Sequence, residues 1–215
     1  MRKLLGMLLV VLVLAGAAGW LLHTQADPVR TAQTDWKLVL VNETNLLPAN
    51  WQVEELVELY NGEQVDSRIY PALQAMFDDA RAQGIYPQVN EGYRSGARQQ
   101  EILDARIAEY RDAGYDEAEA RQLALQQVAL PGTSEHELGL AVDIIADGAK
   151  CDNESVYLWL RENAPDYGFI LRYPADKTQI TGIEYEPWHY RYVGQTAAKE
   201  ITEQGVCLEE YMDAA

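Results

Sequence analysis

The chain has 215 residues, 48% of them hydrophobic and 24% charged, which suits one globular domain with a hydrophobic core and excludes collagen-like, disulfide-scaffold and wholly disordered chains. Its 17 Lys and Arg residues against 34 Asp and Glu residues give a formal net charge of −17. A nucleic-acid-binding protein needs a positive surface to neutralise phosphates, so we expect no nucleic-acid partner.

The N-terminal segment over 1–26 has the pattern of a targeting sequence. Two basic residues precede an uncharged run over 4–22, which is long enough to span a bilayer as a helix. A cleaved signal peptide has a shorter apolar core, and the Thr-Gln-Ala sequence ending at Ala26 is an imperfect cleavage site. A retained membrane anchor and a signal peptide therefore both stay open. Either one places the rest of the chain outside the cytoplasm.

Helices dominate the first half of the remaining chain. Residues 27–35 predict a linker, and 36–215 a single domain. Within that domain, hydrophobic spacing and turn residues predict these elements: strands over 36–41 and 86–90, and helices over 53–60, 71–83, 97–110 and from an N-cap at Asp116 to about 130.

Short strands are more frequent in the second half. The patterns predict these elements: strands over 138–145, 168–173 and 188–193, and helices over 154–163, 195–203 and 208–212. Helices followed by short strands favour an α+β fold with a small antiparallel sheet and helices packed around it, rather than a βαβ repeat.

Two segments of the second half carry residues suited to metal chemistry. His136 and Asp143 bracket the start of an apolar strand, where an acid is costly unless something pairs with it. Glu186 precedes His189 by three positions. Two histidines and an aspartate can hold zinc with a fourth position open, and a nearby glutamate can then take a proton from water as it attacks a carbonyl. The spacing therefore indicates a candidate zinc site.

Each of these residues also has an ordinary interpretation. A histidine in a half-buried strand can be a hydrogen-bonded core residue. Asp143 can cap a loop or pair with Arg191, and Glu186 can be one surface acid among many. The two histidines are the only ones outside the N-terminal segment, and both fall beside acids. That coincidence favours the metal site.

The motifs together resemble a known family. Ser134-x-His136-x-x-Gly139-x-Ala141-x-Asp143, followed by Glu186-x-Trp188-His189, is similar to the zinc D-alanyl-D-alanine carboxypeptidases of the VanY type. That family belongs to a wider group shared with lysostaphin-type peptidases and the hedgehog N-terminal domain. Similar blocks follow one another in family order from about Trp36 to the C-terminus, at 92–95, 168–174, 181–183 and 191–194.

The resemblance implies roles for individual residues. His136, Asp143 and His189 would bind zinc, and Glu186 would act as general base and later as proton donor. Arg94 would lie near the scissile bond or the substrate carboxylate, where a guanidinium suits an anionic oxygen. The positions implied to contact substrate are Arg94, Ser95, Gln99, Ser134, Tyr173 and Trp188.

One residue departs from the family pattern. Glu91 stands where members commonly have serine before Gly-Tyr-Arg-Ser. A carboxylate near the mouth of the site bears on fine substrate preference and leaves the metal site unaffected.

The resemblance implies a monomeric, extracytoplasmic enzyme, tethered to the membrane or secreted, which faces the cell wall and removes the C-terminal D-Ala from peptidoglycan stem peptides. Three alternatives stay open: an L,D-carboxypeptidase acting on tetrapeptide stems, a zinc-stabilised binding module without activity, and a cytoplasmic dipeptidase. The last conflicts with the N-terminal segment. Cys151 and Cys207 can form a disulfide in an oxidising compartment or stay as two thiols.

Overall fold

A computed structural model of the chain describes residues 35–48 and 50–214. The predicted targeting segment over 1–26 and nearly all of the predicted linker over 27–35 lie outside these residues. Within the described part, no helix has both the length and the apolar character needed to cross a membrane.

Strands and helices mix along the chain as an α+β fold requires. The strands are β1 Leu56–Glu58, β2 Gln64–Asp66, β3 Pro87–Glu91, β4 Ala141–Ala146, β5 Phe169–Leu171 and β6 His189–Tyr192. The helices are α1 Tyr70–Ala82, α2 Gly96–Asp112, α3 Glu117–Leu125, α4 Asn153–Asn163, α5 Thr178–Thr181, α6 Gln195–Gln204 and α7 Leu208–Ala214. Short 3-10 turns lie at Trp36–Leu38, Glu135–Leu138 and Ala164–Tyr167.

The main sheet has four strands in the order β3-β4-β6-β5, and every neighbouring pair is antiparallel. The predicted α+β class and small antiparallel sheet are therefore confirmed. Asp143 in β4 lies directly opposite His189 in β6 and opposite Glu91 in β3. The register thus brings two predicted metal ligands together at the centre of the sheet. Strands β1 and β2 form a separate hairpin.

The largest apolar cluster joins the sheet to helices α1 and α4, with Met76, Ile144 and Leu160 fully buried in it. A second cluster lies between α6, α7 and β5. The helices α2 and α3 pack mainly on each other around Leu103 and Ala124. This helical hairpin is a small unit at one side of the sheet, and its residues reach the site described below.

The predicted strand over 36–41 is wrong. Trp36–Leu38 forms a single 3-10 turn, and the residues after it belong to no sheet. The buried guanidinium of Arg191 donates hydrogen bonds to the carbonyls of Lys37 and Val39, at 3.0 and 2.9 Å. A side chain therefore satisfies backbone groups that a neighbouring strand would otherwise bind.

The predicted helix over 53–60 is also wrong, because this stretch contains strand β1. It turns back on β2 through Asn61-Gly62, where Gly62 has a φ of +90°. An Asn-Gly pair is a strong hairpin signal, so the turn outweighs the helical spacing before it. Helix α3 ends at Leu125 instead of about 130. Beyond its end, the carbonyl of Ala129 accepts from the Gln99 side-chain amide.

The remaining predicted elements agree with the structure within a few residues, and Asp116 caps α3 in a capping box with Glu119. Both cysteines are free thiols. Cys151 is half-buried beside Tyr86, whose backbone N–H lies 3.3 Å from its sulfur. Cys207 is buried.

Candidate metal centre

His136 reaches the sheet from a tight turn. The turn Glu135–Leu138 ends at Gly139, which has a φ of +75°. A Cβ at this position would lie only 3.2 Å from a methyl group of Val53 and 3.3 Å from Cβ of Asp66. Glycine is therefore favoured by the left-handed backbone, and a side chain would also fit tightly. The turn leads directly into β4 and brings His136 beside Asp143.

Three potential ligand atoms converge here. Asp143 Oδ1 lies 3.4 Å from His136 Nε2 and 2.9 Å from His189 Nδ1. The three side chains each offer one ligand atom within 4.8 Å of the others. The predicted grouping of His136, Asp143 and His189 is thus present in the structure.

The donor set fits a zinc ion. Among the described residues, His136 Nε2 and Asp143 Oδ1 are buried without a hydrogen-bond partner, an arrangement that is costly unless a cation binds there. His136 Nδ1–H donates to the carbonyl of Gly92 at 2.7 Å, which leaves Nε2 with a free lone pair for a metal. Two imidazoles and one carboxylate suit zinc, with a fourth position open.

Gly92 is held in place by its own packing. A Cβ on this residue would come within 2.1 Å of the Gln64 carbonyl oxygen in strand β2. Only glycine allows the two backbones to approach this closely. The carbonyl that orients His136 therefore depends on contact between β2 and the loop after β3.

The charges of the site depend on burial and on the histidines. Burial alone would raise the pKa of Asp143, but His136 and His189 hold it well below its usual range. Burial raises the pKa of Glu186 to about 7, and the charge of Asp143 adds to that rise while His189 opposes it. Glu186 can therefore exchange a proton near neutral pH, as a general acid–base group must.

Glu186 lies beside the ligands on a loop that two backbone hydrogen bonds hold in place. Its Oε2 is 3.6 Å from His189 Nδ1. Its backbone N–H donates to the carbonyl of Tyr173, and its own carbonyl accepts from His189 N–H. The Tyr173 ring also packs on the His189 ring, with centroids 4.8 Å apart. These contacts fix the positions of Glu186 and the ligand His189 relative to each other.

Arg94 lies on the loop between β3 and α2. Its backbone N–H donates to the carbonyl of His136 at 3.2 Å. Its side chain is largely buried, and its Nε lies 3.9 Å from Oε1 of Glu91. That Nε has no hydrogen-bond partner within the described residues. Arg94 thus offers a guanidinium donor to an anionic group in the cavity.

An open cavity of about 430 Å³ exposes these groups. The predicted site residues that line it are Arg94, Ser134, His136, Asp143, Tyr173, Glu186, Trp188 and His189. Sequence reasoning missed other lining residues, which are Ile102, Arg106, Gln127, Val128, Ala129, Ile183, Glu184 and Tyr185. Several of these come from the α2–α3 hairpin, and no motif in the sequence marked them.

Two predicted substrate contacts do not line the cavity. The Ser95 hydroxyl caps helix α2 by accepting from the N–H of Arg98. The Gln99 side chain is fully buried and donates to the carbonyl of Ala129. Both residues hold the α2–α3 hairpin in place, and contact with substrate remains a prediction for them.

Arg191 pairs with Glu135 instead of Asp143, at 2.8 Å. The ordinary interpretation in which Arg191 neutralises Asp143 is therefore wrong. Sequence reasoning did not single out Glu135, which occupies an unspecified position inside the Ser134-x-His136 motif.

Two buried histidines and a half-buried aspartate, an adjacent carboxylate of raised pKa and an open cavity define a metallopeptidase site. A family model described as VanY, D-alanyl-D-alanine carboxypeptidase, matches residues 62–195, more than half of the chain. The chain belongs to this family and is a peptide hydrolase of the carboxypeptidase class.

Individual relatives agree with this assignment. A D-alanyl-D-alanine carboxypeptidase of Enterococcus faecalis is 56% identical over 181 residues, which cover 84% of this chain and 67% of that protein. A mutant of a vancomycin resistance D,D-pentapeptidase VanY, from a VanB-type resistance cassette and in complex with Zn(II), is 57% identical with a TM-score of 0.81. That match covers 82% of this chain and 99% of the other. VanYB in complex with D-alanine-D-alanine is also 57% identical, with a TM-score of 0.81 over 83% of this chain and 98% of that one.

Proposed function

We propose that this chain is a zinc-dependent D,D-carboxypeptidase that removes the C-terminal D-Ala from peptidoglycan stem peptides. The observation that carries the proposal is the convergence of His136, Asp143 and His189 next to a half-buried Glu186. Similarity to VanY structures that hold Zn(II) or D-alanine-D-alanine supports both the metal and the substrate.

His136 Nε2, Asp143 Oδ1 and His189 Nδ1 would hold the zinc. When bound, zinc supplies Lewis acidity that activates water and polarises the scissile carbonyl. Asp143 and the two imidazoles all line the cavity, so a metal that they held would be open to a substrate there.

Glu186 supplies the proton transfers. Its carboxylate would accept a proton from the attacking water, as a general base beside the ligands. The same group then donates the proton to the leaving amine of the terminal D-Ala.

Arg94 supplies a positive charge at the site. Its guanidinium would bind either the oxyanion that develops at the scissile carbonyl or the terminal carboxylate of the substrate. Ser134, Tyr173 and Trp188 line the same cavity and would form the walls against which the peptide end packs. Ser95 and Gln99 would contribute by holding the hairpin beside it.

The protein would work outside the cytoplasm, facing the cell wall. Segment 1–26, as an anchor or a cleaved signal, would deliver the domain there, and a retained anchor would tether it as a monomer to the membrane. The net charge of −17 disfavours adhesion of the domain to anionic lipid by charge alone.

Glu186 and Arg94 argue against a non-catalytic binding module. A structural zinc site needs four closed ligands, whereas this site has three converging ligand atoms and an open cavity. A binding module would also not require a half-buried base next to the ligands.

Metal dependence tests the proposal. The full chain is stripped with a chelator and then given one equivalent of zinc, and D-Ala release from a pentapeptide stem is followed by mass spectrometry. We expect no release from the stripped protein, full release after zinc, and none from His136→Ala with or without zinc. Zinc-loaded wild-type protein that releases no D-Ala would overturn the proposal.

A further inference from the structure

A buried cluster of four charged side chains lies behind the metal centre. Glu135 is at its middle, with a side chain that is 0% exposed. Its Oε1 accepts from Arg172 Nε and from Arg191 Nη1, both at 2.8 Å. Arg172 also binds both oxygens of Glu209 in helix α7, at 2.9 and 2.6 Å. Two carboxylates thus balance two guanidinium groups in the interior.

The second oxygen of Glu135 points to the metal centre. Glu135 Oε2 has no hydrogen-bond partner among the described residues, and neither does His189 Nε2. The two atoms lie 3.8 Å apart. The opposite ring nitrogen of His189, Nδ1, faces Asp143 at 2.9 Å. Glu135 is thus placed to take the Nε2 proton, on the side of the ring that faces away from the ligand cluster.

We infer that Glu135 is a positioning residue for His189, accepting the Nε2 proton so that the Nδ1 lone pair faces the zinc. The inference rests on the proposed zinc site and on no step of the reaction. His136 has a matching arrangement, in which the carbonyl of Gly92 binds the ring nitrogen that faces away from the ligand cluster. Outer partners of this kind set the tautomer and the orientation of a histidine ligand.

The two arginines explain why the carboxylate stays aimed at His189. Both hold Oε1, so rotation of the Glu135 carboxylate would break two charged hydrogen bonds. Arg191 is itself fixed by the carbonyls of Lys37 and Val39. The 3.8 Å separation between Glu135 Oε2 and His189 Nε2 is longer than a hydrogen bond, and a shift of about 1 Å would close it.

The simpler possibility is that Glu135 only neutralises the two arginines. Under that account, Glu135 and Glu209 have the same role, because each pairs with Arg172 in the buried cluster. Under our inference, only Glu135 acts on the metal ligand His189. The two accounts therefore differ in what they expect for zinc binding.

The Glu135→Gln variant distinguishes these two accounts of Glu135. The amide oxygen can still accept from both arginines, but the amide NH₂ would then face His189 Nε2. Two donors cannot share that contact, so the ring proton would move to Nδ1 and block the ligand lone pair. We expect zinc affinity, measured by competition with a chromophoric chelator, to fall by about 10- to 100-fold.

Glu209→Gln is the matched control. It makes the same chemical change on the same Arg172, but no hydrogen bond or ion pair joins the Glu209 side chain to His189 within the described part of the chain. We expect its zinc affinity to stay within about threefold of wild type. Equal losses in both variants, or wild-type affinity in folded Glu135→Gln, would overturn the inference.

A second measurement needs no variant. In zinc-loaded, ¹⁵N-labelled wild-type protein, ring nitrogen shifts report which nitrogen of His189 carries the proton. We expect it on Nε2, and a proton on Nδ1 would overturn the inference even if Glu135→Gln fails to fold. Glu135→Asp adds a further check, because it keeps the charge but withdraws the carboxylate by about 1.5 Å and should also weaken zinc binding.

These readouts are independent of turnover. A wild-type protein that binds zinc through His189 Nδ1 but releases no D-Ala would refute the proposed function and leave this inference standing. Normal D-Ala release by the wild-type protein, together with an unchanged zinc affinity in Glu135→Gln, would refute this inference and leave the proposed function standing.

Discussion

Burial determines what Glu186 can do. The side chain is only 14% exposed where it lines the cavity, and its pKa of about 7 follows mainly from lost hydration. A surface glutamate would be fully ionised at neutral pH and a poor proton donor. The same residue type therefore has a different chemical capacity at this position than elsewhere on this acidic chain.

Replacing Glu186 by Gln should abolish turnover without releasing the metal. The amide cannot accept a proton from water, so we expect kcat to fall by about 10²- to 10⁴-fold. Zinc content, measured by native mass spectrometry, should stay at one equivalent because Glu186 is not one of the three ligands. Turnover within about threefold of wild type would show that another group is the base.

Arg94 should matter through its charge in the cavity. For Arg94→Ala we expect kcat/KM to fall by about 10²- to 10³-fold, the usual effect of losing one donor to a developing oxyanion. Arg98→Ala is the control, because Arg98 belongs to the same segment but is exposed and pairs with Glu101 outside the cavity. A comparable loss in both variants would contradict a specific role for Arg94.

The sequence could predict which residues come together at the candidate site but not those that support them. His136, Asp143, Glu186 and His189 stand out because their residue types and spacing are those of a metal site. Glu135 gives no such signal. Its importance comes from Arg172 and Arg191, which are 37 and 56 positions away, and only the folded chain brings them together.

At the scale of elements, the site depends on turns and on strand register. Long helices such as α1 and α2 were predictable because many residues share one period. The segment 36–41 was not, since its conformation is decided by the Arg191 side chain, which is distant in sequence. The segment 53–60 was not either, because the Asn61-Gly62 turn and pairing with the nearby strand β2 outweigh its helical spacing. Short segments have too few residues for periodicity to outweigh tertiary contacts.

Gly92→Ala tests the close contact between β2 and the loop after β3. The added Cβ would meet the backbone of Gln64, which cannot move aside cheaply. We expect a loss of about 1–3 kcal/mol in the free energy of unfolding, measured by urea titration, because the backbones must separate. Zinc binding should weaken as well, since the Gly92 carbonyl orients His136.

Gly148→Ala provides the control for that experiment. A Cβ on Gly148 would meet no atom within 4 Å, and the φ of this residue is not positive. Its substitution should therefore change the free energy of unfolding by less than about 0.5 kcal/mol. Equal effects at both glycines would show that the β2 contact is unimportant.

For the whole molecule, the buried cluster connects the two ends of the domain to the site. Arg191 binds the segment near Lys37, and Arg172 binds Glu209 in the last helix. The α+β class could be predicted from the order of helices and strands. The sheet order and this cluster could not, because neither follows from local pattern.

Glu209 should make stability depend on acid pH. Burial would raise its pKa, but Arg172 and Asn42 hold it below its usual range in the folded protein. Stability from this group is therefore present above the ordinary carboxyl pKa and is lost as the pH falls through the folded value. We expect Glu209→Gln to be less stable than wild type at pH 7 and the difference to shrink between about pH 5 and pH 3.

Urea titrations at several pH values measure that difference. Glu203→Gln is a suitable comparison, since Glu203 is an exposed acid on α6 and its substitution should change the free energy of unfolding by less than about 0.5 kcal/mol. A stability difference for Glu209→Gln that grows towards low pH would contradict the expected stabilisation by the ionised carboxylate.

The most direct test offers two substrates to the zinc-loaded full chain side by side in separate reactions, a pentapeptide stem ending in D-Ala-D-Ala and a tetrapeptide stem. Mass spectrometry follows both products, with Glu186→Gln as the inactive control. A D,D-carboxypeptidase should remove one D-Ala from the pentapeptide alone, and this is the result we expect. Loss from the tetrapeptide alone would make the enzyme an L,D-carboxypeptidase, and no loss from either peptide with zinc bound would contradict a peptidase acting on these stems.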